Sequence, residues 1–103
     1  MYTLKLLPEA INDMTEIVKY ISTQLHNPAA ATRLKEKITV EIKRLPENPY
    51  ICAVFSAALP TKFEYRRLFV KNYAVLYYID ENEKAVKIAR VIYAKRNLSN
   101  ILE

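Results

Sequence analysis

The period of the hydrophobic pattern changes partway along this 103-residue chain, and that change restricts its fold more than any other feature. Ile11, Met14, Ile17, Val18, Ile21 and Leu25 fall at helical spacing and form one apolar stripe. Ala31, Leu34, Ile38, Ile42 and Leu45 form a second. From residue 63 the pattern shortens. "FEYRRLFV" (63–70), "YAVLYYID" (73–80) and "AVKIARVIY" (85–93) are rich in β-branched and aromatic residues, as strands are. Ahead of both helices, Tyr2, Leu4 and Leu6 alternate with Thr3 and Lys5, which predicts a short strand with one buried face.

The punctuation between these segments agrees with the periods. Pro8 suits a first helical turn, where its missing N–H is not needed. Asn27 is a good N-cap before Pro28, and Pro46 ends the second helix. A short connection makes the two helices an antiparallel hairpin. "ENPYICAVFSAALPTK" (47–62) reads as an irregular connection. Lys71-Asn72 is a two-residue hairpin loop and "ENEK" (81–84) the next turn. Glycine is absent, so backbone with positive φ is expected to fall on Asn or Asp or to be avoided, and Asn72 can tolerate it. The prediction is one α+β domain over residues 1–103, with the order βααβββ. A helical hairpin covers one face of a three-stranded antiparallel meander, and "NLSNILE" adds a short terminal helix or tail. No element remains for the other face of the sheet.

Composition narrows the function. Hydrophobic residues make up 51% of the chain, enough for a core. No apolar stretch approaches the roughly 20 residues of a membrane span, and no leader-like segment opens the chain, so no membrane partner is expected. The single cysteine, Cys52, has no internal partner, consistent with a reducing cytoplasm. The net charge is +5, and it is concentrated: residues 62–96 hold nine Lys/Arg against four Asp/Glu. A one-sided basic field suits a polyanion or an acidic partner.

Alternation across the strands sorts the side chains. Leu68, Val70, Val75, Tyr77 and Ile79 are expected under the helices, with Tyr65, Arg67, Phe69, Ala74, Leu76 and Tyr78 facing away. An open face with rings and guanidinium groups suits nucleic acid, although the same rings also serve simply to fill a sheet. Metal and cofactor chemistry is not expected. His26 sits in a helix connection without matching carboxylates, Cys52 shows no neighbouring base, and there is no glycine-rich phosphate loop. One chemistry survives, metal-independent RNA cleavage by the substrate's own 2′-hydroxyl, which needs cations at the phosphorus and proton-transfer groups. The candidate catalytic residues are Arg67, Tyr93 and Arg96. The candidates for binding a nucleic acid or other target are Arg66, Arg67, Phe69, Arg90, Lys95 and Arg96. Spacing alone does not establish an enzyme.

The element order, with "PEAINDMTEIVKYI", "YRRLFVKNYAVLYYID" and "RVIYAKRN", resembles the RelE/ParE superfamily of bacterial type II toxins across essentially the whole chain. The resemblance implies a small cytoplasmic toxin that inhibits growth, is tied to stress response, and is silenced by a co-encoded acidic antitoxin. RelE-like members cut mRNA on the ribosome, and ParE-like members poison DNA gyrase. On the RelE pattern, Arg67 stands for a lysine of the second strand and Arg96 for a late arginine. Ala74 stands where that pattern has an arginine after the hairpin tyrosine, and "NLSNILE" has no tyrosine, with Tyr93 the nearest substitute. These departures favour a ParE-like toxin, or one whose cleavage activity is weak, over full ribosome-dependent mRNA cleavage. A non-toxic nucleic-acid-binding module is the third reading.

Overall fold

A computed structural model describes residues 1–55 and 61–95. A short strand, β1 (Thr3–Leu6), leads into helix α1 (Pro8–Lys19). Helix α2 (Pro28–Lys43) follows, then strands β2 (Arg66–Val70), β3 (Tyr73–Asp80) and β4 (Ala85–Tyr93). The sheet order is β1-β4-β3-β2. The three later strands form the expected antiparallel meander, and β1 joins β4 in parallel, with Leu4 opposite Val86. The terminal helix or tail expected over 97–103 lies outside the described residues.

Local chemistry accounts for the helix boundaries. The side chain of Asn27 accepts the backbone N–H of Ala30 at 3.1 Å, capping α2 as predicted. At its far end α1 widens over Tyr20–Gln24, where the N–H of Leu25 reaches the carbonyl of Tyr20 five residues back. His26 then takes φ 52°, the left-handed conformation that commonly ends helices. Positive φ also occurs at Lys71 and Lys84. The expectation that Asn or Asp would take these positions is therefore corrected. At the β2–β3 turn the residue is Lys71, and Asn72 is not among the positive-φ residues.

The core lies between the helical hairpin and one sheet face. Ala10, Leu34, Ile38 and Ile42 of the helices meet Val70, Val75, Tyr77, Val86, Ile88 and Val91 of the sheet. Leu68 and Ile79 pack on this cluster too, as strand alternation requires. Between Ile88 and Arg90 the register with β3 shifts, leaving one extra residue on β4. Such a bulge bends the strand and frees a ladder donor.

The outer face departs from expectation. Ala74 and Leu76 are fully buried and Ile92 nearly so, with Phe55 and Ala94 packed against them. Further along, Phe63 stacks on Tyr78 at 4.0 Å between ring centres, with the planes 6° apart, and Tyr65 meets Tyr78 edge-on. The connection predicted to be irregular folds back beside the sheet. The N–H of Phe55 donates to the carbonyl of Tyr65, and that of Arg67 to the carbonyl of Ala53. An uncovered face of Ala, Leu and Ile would leave apolar area in water, and Phe55 of this connection, with Ala94, packs against it.

Candidate functional site

Arg66 and Arg67 are neighbours on β2, so their side chains leave opposite faces of the sheet. Arg66 is committed to the chain itself. One guanidinium nitrogen donates to the Cys52 carbonyl at 2.6 Å and to that of Tyr50 at 3.4 Å. The group also lies 5.0 Å from the Tyr50 ring centre. Tyr77, opposite Arg66 on β3, donates its hydroxyl to the Pro49 carbonyl at 2.9 Å. Burial, first of several causes, pushes that phenol's pKa upward. Together the two side chains fasten residues 49–52 to the sheet.

Arg67 is held differently. Its guanidinium lies 5.3 Å from the Phe55 ring centre and 5.1 Å from that of Phe69. No ion pair engages it among the described residues. Phe69 is 55% exposed. Two rings thus orient a cation whose side-chain donors make no hydrogen bond among the described residues, an arrangement suited to an anion.

The last strand divides its candidates. Arg90 makes a bidentate pair with Asp13 of α1, Nε to Oδ2 at 2.7 Å and Nη2 to Oδ1 at 3.0 Å. The same carboxylate accepts the backbone N–H of Val91 at 2.9 Å, next to the bulge. The hydrogen bonds that Arg90 donates to Asp13 raise the pKa of the guanidinium further. Tyr93 pairs with Tyr73 across the strands, ring centres 5.8 Å apart, on the helix side of the sheet. It is therefore on the opposite face from Arg67. Lys95 is exposed just beyond β4, and Arg96 lies outside the described residues. Among the described candidates, Arg67 and Phe69 come together, while Arg66, Arg90 and Tyr93 are each placed elsewhere.

Tyr93 and Tyr73 border a groove of about 1050 Å³ between the end of the helical hairpin and the end of the sheet. Tyr20 and Ile21 line it from the widened turn, and Asp13, Glu16 and Lys71 carry its charges. Burial, then the nearby phenols of Tyr93 and Tyr20, push the Tyr73 pKa up. Sequence reasoning missed Asp13, because one aspartate on the polar side of a helix carries no signal of a partner far along the chain. It also missed Glu81, which accepts hydrogen bonds from Tyr2, Tyr50 and Lys84. These hold its carboxyl down at about 2, while the carboxylate pushes the Tyr50 phenol up to about 12.

Among the described residues no group of three or more His, Cys, Asp or Glu side chains is placed to hold a metal ion. No helix there is long and apolar enough to cross a membrane.

A family model described as the ParE toxin of the type II toxin-antitoxin system, parDE, matches residues 4–98. No curated protein matches the sequence. Among solved structures, the fold is similar to a chain of the chromosomal ParDE system of P. aeruginosa. The TM-score is 0.75 at 20% identity, covering 92% of this chain and 98% of that one. It is similar too to a chain of the intact E. coli RelBE toxin-antitoxin complex, with a TM-score of 0.61 at 15% identity over 93% and 100% of the two chains. A chain of the RelBE2 complex of Mycobacterium tuberculosis matches with a TM-score of 0.56 at 20% identity over 89% and 96%. At such identities the structural likeness speaks for the fold alone.

Proposed function

The chain belongs to the ParE toxin family of type II toxin-antitoxin systems, within the RelE/ParE superfamily, and from that premise we propose that it arrests growth by binding DNA gyrase. The observation that carries this reading is the placement of Arg67 and Tyr93 on opposite faces of the sheet. Cutting RNA requires a cation and a proton-transfer group at one phosphate. Arg66 and Arg90, the other described arginines proposed for the site, already hold the loop and α1. An inhibitor that acts by binding needs a surface and no such convergence. Arg67 between Phe55 and Phe69, with the exposed Lys95 beyond β4, is the part of that surface we assign to the target.

We further propose that a cognate acidic antitoxin neutralises the chain. Its net charge of +5 favours such a partner by steering encounter and excluding basic competitors. Structures with this fold include the ParDE system and the RelBE toxin-antitoxin complex.

The test is a supercoiling assay with purified gyrase, relaxed plasmid and purified toxin. Inhibition with accumulation of cleaved DNA is expected. Unimpaired supercoiling, together with new mRNA ends at codon boundaries after induction, would replace this reading with ribosome-dependent mRNA cleavage. Normal growth on expression without any partner would leave only a non-toxic nucleic-acid-binding module.

A further inference from the structure

We infer that Arg66 and Tyr77 are positioning residues for Arg67: from the helix side of the sheet they clasp residues 49–52, and that clasp sets Phe55 against the Arg67 guanidinium on the outer side. The inference rests on the reading of Arg67 as the group that meets the target, and adds what holds that group in place. β2 is an end strand of the sheet, so residues 49–55 can pass round its free edge from one face to the other. Arg66 lies opposite Tyr77, and cross-strand partners share a face, here the one that Tyr77 presents to the helical core. Phe55 packs on the other side, against Ala74, Leu76 and Ile92.

Polar bonds follow the segment round the edge. The Pro49 carbonyl accepts the Tyr77 hydroxyl at 2.9 Å. The carbonyls of Tyr50 and Cys52 accept one Arg66 nitrogen at 3.4 and 2.6 Å. The Ala53 carbonyl then takes the Arg67 N–H at 3.1 Å, and the Phe55 N–H reaches the Tyr65 carbonyl at 2.8 Å. Burial contributes little along this path, because Tyr50, Ile51, Ala53 and Val54 are all exposed, Ile51 at 68%. The segment therefore depends on its hydrogen bonds, and Arg66 and Tyr77 supply every one of those made by side chains. Tyr77 is itself fully buried, which makes its hydroxyl a fixed anchor.

The two rings beside Arg67 are thus held by different means. Phe69 sits two residues further along the same strand and stays in place whatever residues 49–52 do. Phe55 stays only while its segment does. Releasing the clasp removes one ring of the pair, and Arg67 must then be ordered at the moment of binding, at a cost in affinity.

The test uses purified gyrase, relaxed plasmid and the intact toxin. Tyr77→Phe removes only the anchoring hydroxyl, and Arg66→Met keeps the stem of the side chain. Each is expected to raise the toxin concentration for half-inhibition of supercoiling about threefold to fivefold. In an Arg67→Ala background neither is expected to add to the loss, since both act through Arg67. The nuclear magnetic resonance of the Arg67 side-chain N–H reads the geometry without any target, because a nearby ring displaces it. Tyr77→Phe and Arg66→Met are expected to move it towards its position in Phe55→Leu. Ile38→Val, a core change on α2, is expected to lower the melting temperature while leaving both the resonance and the inhibition unchanged. Melting curves exclude any variant that does not fold, and Tyr77→Phe alone carries the test if Arg66→Met is lost. Losses that multiply in the Arg67→Ala background, or an unmoved resonance, overturn the inference while wild-type inhibition of gyrase stands. If the wild-type chain does not inhibit gyrase, the gyrase reading falls, and the resonance by itself decides for or against the clasp.

Discussion

Asp13 of α1 holds Arg90 of β4 through two hydrogen bonds, of 2.7 and 3.0 Å, and takes the N–H of Val91 with the same carboxylate. One side chain therefore satisfies a guanidinium and a backbone donor beside the bulge, and fixes the helical hairpin to the sheet at that point. Substituting the two partners should have unequal effects. Asp13→Ala leaves a partly buried guanidinium and the Val91 N–H without their acceptor, and is expected to cost about 2–3 kcal/mol. Arg90→Ala keeps the acceptor for Val91 and is expected to cost about 1 kcal/mol. Urea denaturation of both single variants and the double variant measures this. Equal losses would mean that the backbone contact contributes nothing.

Much of the fold was legible before any coordinates, and particular residues show why. The spans of β3 and β4 match their β-branched runs, and Asn27 caps α2 as its position before Pro28 implied. Val75 and Tyr77 face the helices because alternation leaves no other choice. What was hidden depends on distance along the chain or on shape. The Asp13–Arg90 pair joins residues 77 positions apart. Phe55 and Phe63 looked like parts of a loop and of a strand, yet both cover the outer face, which no local pattern encodes. Of the site candidates, Arg67 and Phe69 share a face by parity alone, whereas the diversion of Arg66 to the Cys52 carbonyl required the loop to be in place.

Stability should fall on both the acid and alkaline sides through the network at the β3–β4 turn. Hydrogen bonds from Tyr50, Lys84 and Tyr2 hold Glu81 at about 2, and those from Lys5 and Lys87 hold Glu83 at about 2. A depressed carboxyl stabilises the fold fully above its unfolded value of 4.5, and that contribution is lost as pH falls towards 2. Tyr50 runs the other way. Its phenol is raised to about 12, so its contribution is present below 10 and lost as pH rises through 12. Denaturation midpoints measured across pH for wild type and Glu81→Gln check both limbs. The variant should show a shallower decline below 4.5 and a weaker one above 10. Parallel curves for the two proteins would show that Glu81 contributes nothing to either.

The turn at Lys71 carries a cost that substitution can remove. A residue with a β-carbon at φ 52° is disfavoured by roughly 1–2 kcal/mol, and glycine escapes that penalty while losing more backbone entropy on folding. Lys71→Gly is therefore expected to raise stability by about 0.5 kcal/mol. Lys71→Val should lower it, because branching at the β-carbon worsens the same clash. Thermal melts of the two variants beside wild type test the sign. A loss with glycine would mean that the lysine side chain contributes more than its backbone costs.

Arg67 and Tyr93 distinguish binding from catalysis because they can be altered independently. Arg67 lies between the Phe55 and Phe69 rings, and its side chain is absent from the cluster of buried core residues under the helices. If that cation grips the target, Arg67→Ala should raise the toxin level needed for growth arrest about tenfold, as removal of a pre-oriented arginine at an interface does. Arg67→Lys should rescue little, since an ammonium lacks the planar group that two rings can hold. Tyr93→Phe keeps the edge-to-face contact with Tyr73 and removes only the hydroxyl. A surface that binds gyrase should tolerate it, with growth arrest unchanged within about twofold, because the ring supplies most of the contact. Should Tyr93→Phe silence the toxin as deeply as Arg67→Ala, the phenol is moving a proton. The two residues would then have to act at one phosphate despite lying on opposite faces of the sheet, and the binding model would give way to a cleavage model.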